Sequence, residues 1–122
     1  MKEEQKQTIV TIDAAGKRLG RVASEAAKVL MGKHTPHFER HRDANPAQVR
    51  IENTRKLLMS DKKRLMETYD RYSGYPGGRK VETRGHLIDR KGYPEIMRLA
   101  VFGMLPRNKL RPLRMKRLSI GA

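Results

Sequence analysis

Thr8-Ile9-Val10-Thr11-Ile12-Asp13-Ala14-Ala15-Gly16-Lys17-Arg18-Leu19-Gly20-Arg21-Val22-Ala23-Ser24-Glu25-Ala26-Ala27-Lys28-Val29-Leu30-Met31-Gly32 joins two different hydrophobic periods within one continuous run. Its opening residues, Thr8 to Ile12, are β-branched and largely apolar, which suits a pleated, half-buried strand, and they end at Asp13 before a glycine-containing turn. From Leu19 the period changes. Leu19, Val22, Ala23, Ala26 and Leu30 recur at helical spacing, Arg21, Ser24, Glu25 and Lys28 lie opposite, and Gly32 is placed to cap the C-terminus. A strand followed by an amphipathic helix is the first step of an α/β domain. The joint, Gly16-Lys17-Arg18-Leu19-Gly20-Arg21, has glycines ahead of a helix start, as phosphate-binding loops do. It lacks both the Lys-Ser/Thr pair of a P-loop and the G-x-G-x-x-G spacing of a dinucleotide fingerprint, so it is not read as a nucleotide site.

Further along, Val49-Arg50-Ile51-Glu52 alternates as a half-buried strand does, and Leu57-Leu58-Met59-Ser60 follows the cationic pair Arg55-Lys56 as another short apolar run. Two more strands are predicted there. Lys62-Lys63-Arg64 reads as a charged turn. Thr83 is placed to cap a helix through Asp89, with Gly92 ending it. Pro94 opens a second helix, with Ile96, Met97, Ala100, Val101 and Met104 on its buried face. Ile120 belongs to a last short strand. The order is strand, helix, strand, strand, loop, helices, strand, which favours parallel strands with helices on both faces. With 122 residues, one domain spanning 1–122 is expected, with a thin core and residues 1–7 as a flexible N-terminal tail.

The chain carries 28 Lys and Arg against 13 acids, a formal net charge of +15. Such an excess indicates a polyanionic partner, and nucleic acid is favoured over membrane because the positives are spread between apolar segments and Trp is absent. No apolar run approaches the length of a membrane span and no leader is read at the N-terminus, so the expected setting is soluble and intracellular. Zero cysteines exclude disulfides, thiolate catalysis and Cys-ligated zinc. His34, His37 and His41 with Asp43 stand close in sequence, yet Pro36 breaks any helix that would align them. No metal and no cofactor is expected.

Arg71-Tyr72-Ser73-Gly74-Tyr75-Pro76-Gly77-Gly78-Arg79-Lys80 combines flexible backbone, flat rings and cations without an acid. Its glycines permit positive φ and close approach, and Pro76 fixes its own φ, so it reads as a shaped turn. Tyr72 and Tyr75 could stack on bases while Arg71, Arg79 and Lys80 meet phosphates; the plainer alternative is a surface turn whose tyrosines pack on the protein's own core. After Glu95 there is no acid, and Arg107, Lys109, Arg111, Arg114, Lys116 and Arg117 crowd together. Leu110, Leu113 and Leu118 give this segment an apolar side, so it is expected to dock on the domain with its positives outward.

Gly16 to Glu25, Gly32-Lys33-His34, Arg71 to Gly78 and Gly103-Met104-Leu105-Pro106-Arg107-Asn108-Lys109-Leu110 together resemble the large-subunit ribosomal protein thirteen family, of bacterial or organellar type. The likeness runs in register from about Thr8 to Ile120. It implies a three-layer α/β/α fold with a four-stranded, mainly parallel sheet and basic loop and C-terminal extensions. The implied role is that of a non-enzymatic constituent of the large ribosomal subunit. It would bind large-subunit ribosomal RNA beside neighbouring ribosomal proteins, support early assembly, and reside in cytoplasmic or organellar ribosomes. No membrane or small-molecule substrate is implied. The sequence departs from the family pattern at Tyr72, usually His, at Asp61, commonly Gly, and in a more polar Asn45 to Glu52; a His- and Pro-rich tail carried by many members is not present here.

On these combined grounds the expected RNA contacts are Lys17, Arg18, Arg21, Lys33 and His34 around the first helix, with Lys62 and Lys63 in the charged turn. Arg71, Tyr72, Ser73, Tyr75, Gly77, Gly78, Arg79 and Lys80 come from the glycine-rich loop. Arg107, Asn108, Lys109, Arg111, Arg114, Lys116 and Arg117 come from the basic segment. The competing reading is a free RNA-binding translational regulator, which needs the same surface. No nucleophile elbow, metal pair or phosphate loop supports an enzyme.

Overall fold

Thr8–Asp13 forms the first strand, β1, and Ala47–Glu52 the second, β2, in a computed structural model that describes residues 8–33, 36, 40–41 and 47–121. The two pair in parallel, with Val10 opposite Val49 and Ile12 opposite Ile51. Parallel neighbours require a crossover, and Leu19–Met31, helix α1, lies within it. Its buried face is Leu19, Val22, Ala23, Ala26, Ala27 and Leu30, the predicted stripe with one alanine added. Three of those are alanines, which let the helix backbone approach its neighbours closely. Gly32 ends α1 in the left-handed region at φ 82°, where a Cβ would be strained.

Thr54–Lys56 makes a single 3₁₀ turn, followed by α2 (Asp61–Met66), β3 (Thr68–Tyr72), β4 (Arg79–Thr83), α3 (Arg84–Lys91), α4 (Tyr93–Met104), α5 (Arg111–Met115) and β5 (Leu118–Ile120). β5 joins the other edge of β2, also in parallel, so the sheet of the described residues has three strands in the order β1-β2-β5. β3 and β4 form a separate antiparallel pair. Ile12, Val49 and Ile51 from the sheet meet Val22, Ala23, Ala26 and Leu30 of α1 and Ile96, Met97 and Val101 of α4 in one buried cluster.

Four expectations are corrected. Leu57–Ser60 builds no strand: it makes a single parallel bridge from Leu58 to Arg18, with the Leu58 N–H donating to the Lys17 carbonyl at 2.9 Å. The 3₁₀ turn directly before it and the helix directly after leave no length for a ladder. Lys62-Lys63-Arg64 lies in α2 and not in a turn, because Ser60 Oγ accepts the Lys63 N–H at 3.4 Å and Asp61 sits in the positive first turn. Arg71–Lys80 is not one loop, since its two ends are the strands of a hairpin. Met104 is 43% exposed, and Leu105, at 2%, takes the buried place expected for it as α4 ends. Residues 1–7 and His34, His37 and Asp43 lie outside the described residues.

Candidate nucleic-acid interface

β3 and β4 pair Arg71 with Lys80 and Tyr72 with Arg79, so the hairpin stem itself carries alternating cations and rings. At the tip, the Gly78 N–H donates to the Tyr75 carbonyl at 2.9 Å, closing Tyr75-Pro76-Gly77-Gly78. Pro follows the first residue and Gly77 has φ 73°, the arrangement a type II turn requires. Tyr72 is 68% and Tyr75 75% exposed. That disposes of the reading in which these rings pack on the protein's own core. Such rings, beside cations on a shaped backbone, have the chemistry for stacking on unpaired bases.

The hairpin is tied down by one carboxylate. Glu82 accepts two bonds from Arg90, receives His86 Nδ1 at 2.7 Å, and lies 3.8 Å from Arg71 Nη2. The Arg90 bond, joined by His86, holds the Glu82 carboxyl down at about 2. Arg79 is bonded to Asp70 at 2.9 Å, which lowers the Asp70 pKa and raises that of Arg79. This pair is exposed, so it offers little resistance to exchange for a phosphate.

The other predicted cations divide by setting. Lys17, Arg18, Arg21, Lys33, Lys62 and Lys63 are all exposed, on the approach to α1, on α1 itself, just past its end, or on α2. Lys17 reaches Glu25 at 3.9 Å. Arg107, Asn108 and Lys109 are exposed ahead of α5, where Asn108 Oδ1 accepts the Leu110 N–H at 3.1 Å. Lys116 is exposed as well.

The expectation that the basic segment turns all its positives outward is corrected at three residues. Arg114 is fully buried at 0% exposure, Arg117 donates from Nη2 to the Leu30 carbonyl at 2.9 Å, and Arg111 lies 3.8 Å over the Phe102 ring. Leu113 is exposed instead. With so short a helix, leucine spacing does not settle which side faces inward; docking against α1 does, and the long Arg stems supply apolar contact.

The carboxyl ends of the strands, where open α/β sheets usually hold ligands, are closed on themselves. Asp13 Oδ1 accepts from the Ala15 N–H and from Asn53 Nδ2, both at 3.0 Å, and Thr54 Oγ1 donates to the Gly121 carbonyl at 2.9 Å. The backbone bond from Ala15, then Asn53, lowers the Asp13 pKa. Among the described residues no cluster of acids and histidines is arranged to hold a metal, and no described helix is long and apolar enough to cross a membrane. Sequence reasoning missed the hairpin and the Glu82 hub. The turn signal Tyr75-Pro76-Gly77-Gly78 between two β-rich runs was available for the first, but nothing local marks the second.

The fold and this surface define a class: a small, strongly cationic α/β protein with exposed rings and cations on a hairpin. The chain matches the family described as Ribosomal protein L13 over residues 7–121, and it belongs to that family. It is 45% identical over 113 residues to the large ribosomal subunit protein uL13 of Natranaerobius thermophilus, covering 92% of this chain and 77% of that protein. The same-named protein of Clostridioides difficile is 43% identical over 91% of this chain and 76% of its own length. That of Synechococcus elongatus is 47% identical over 81% of this chain and 64% of its own. The family is one of ribosomal proteins and not of enzymes.

Proposed function

We propose that the chain is a structural constituent of the large ribosomal subunit of a bacterial-type, cytoplasmic ribosome. In this reading it binds large-subunit ribosomal RNA, contacts neighbouring ribosomal proteins, and takes part in early subunit assembly. The observation that carries it is the hairpin: exposed Tyr72 and Tyr75, held on positive-φ glycines between Arg71, Arg79 and Lys80, on a chain whose relatives are named as large-subunit proteins. Phosphates would meet the exposed cations of α1, α2 and the segment around Arg107 to Lys109 and Lys116. The three-layer arrangement belongs to the same reading, with Leu58 standing at the place of a fourth strand through its one parallel bridge to Arg18 beside the three-stranded sheet.

Sedimentation tests it. Tagged protein in cells should follow large subunits through a sucrose gradient in high salt. Recovery only in the light fractions would overturn the proposal and favour a soluble RNA-binding regulator.

A further inference from the structure

Arg18 at the start of α1, Lys63 on α2 and Arg84 at the start of α3 converge on one niche of about 230 Å³. No Asp or Glu lines it. Among the described residues none of the three is in an ion pair, whereas Arg71 and Arg90 are matched by Glu82 and Arg98 by Glu95 in the neighbouring cleft. Arg84 is also held in place, because its Nε donates to the Tyr69 hydroxyl at 3.2 Å with the guanidinium 5.9 Å from that ring. Three like charges gathered without a counterion repel one another, and a bound anion removes that cost. The floor is different in kind. Leu58 is 54% and Met104 43% exposed there, with Met59 beside them, an apolar and partly thioether surface suited to a flat ring. The first turn of α1 adds N–H donors with no side-chain cap and no acid within that turn.

We propose that this niche takes one unstacked nucleotide of looped or single-stranded RNA, its phosphate against Arg18, Lys63 and Arg84 and its base against Leu58, Met59 and Met104. The inference rests on the ribosomal RNA-binding reading above and names a contact separate from the hairpin. A niche of this size admits a single base and not a duplex.

The test uses the full chain bound to large-subunit ribosomal RNA carrying 4-thiouridine, with photocrosslinks mapped by mass spectrometry and affinity measured by filter binding. Wild type should crosslink at Leu58, Met59 or Met104. The variant Arg18→Gln/Lys63→Gln/Arg84→Gln should lose that crosslink and bind about tenfold more weakly, with a shallower salt dependence. A second variant guards against misfolding: Gly20→Leu adds a side chain at the niche wall where a Cβ meets nothing within 4 Å, and leucine is the better helix former. It should melt no lower than wild type yet show the same loss. Hairpin crosslinks without niche crosslinks, together with wild-type affinity in both variants, would overturn this inference and leave the functional reading standing. Failure of wild type to bind the RNA at all would overturn the functional reading, and the niche with it.

Discussion

Arg90 grips Glu82 through two parallel bonds, Nε to Oε1 and Nη2 to Oε2, each 2.8 Å, and so joins the hairpin strand β4 to helix α3. Glu82 titrates at about 2, below its ordinary 4.5, so the folded chain binds its proton less readily than the unfolded chain does. Its stabilisation is therefore present above about 4.5 and is lost as pH falls from there towards about 2. Glu82→Gln should lower the melting temperature at neutral pH, and the gap to wild type should close on acidification through that window. A gap that stays constant across the window would show that Glu82 stabilises by packing and not through its charge.

Tyr75→Ala removes a ring that is 75% exposed, so the melting temperature should hardly move. Affinity for large-subunit RNA should fall by about 1–3 kcal/mol, the usual worth of one base stacked on one aromatic. Unchanged affinity would remove this ring from the interface.

The hairpin tip is sensitive to backbone as well as to rings. At Gly78 an added Cβ would collide with Ser73 Oγ and lie 2.9 Å from the Tyr75 carbonyl, while Gly77 has open space but φ 73°. Gly78→Ala should therefore rearrange the turn by collision, and Gly77→Val by a conformation that β-branched residues avoid. Both should incorporate poorly into subunits although the domain core stays folded, as read by melts and by sucrose gradients. Normal incorporation of both would leave the tip a plain surface turn.

The basic segment should split into two behaviours. Arg107→Gln/Lys109→Gln changes exposed side chains and should weaken RNA binding, make its salt dependence shallower by about one unit for each phosphate left unneutralised, and leave the melt unchanged. Arg114→Ala empties a fully buried position and should cost on the order of 2 kcal/mol of stability, since the packing of its long stem is lost and a cavity is left behind. If Arg114→Ala melts like wild type and binds RNA weakly, the placement of α5 is wrong.

Local periodicity and capping were enough for β1, α1, β2, α3 and α4, because each signal is contained within one helix or strand and its cap: the stripe from Leu19 to Leu30, alternation at Val49 and Ile51, Thr83 accepting the His86 N–H at 3.3 Å. The glycine, proline and tyrosine content of Arg71 to Lys80 marks a shaped, exposed turn, and Tyr72 and Tyr75 are indeed exposed there. Tertiary structure decided what depends on which partner a segment meets. Leu57–Ser60 has strand composition but only one bridge available, Arg114 is cationic yet buried, and Glu82 gathers Arg71 from β3 with His86 and Arg90 from α3. Burial and ion pairing are properties of docking between elements distant in sequence, and a sequence window contains no information about which face of a short helix such as α5 that docking will select.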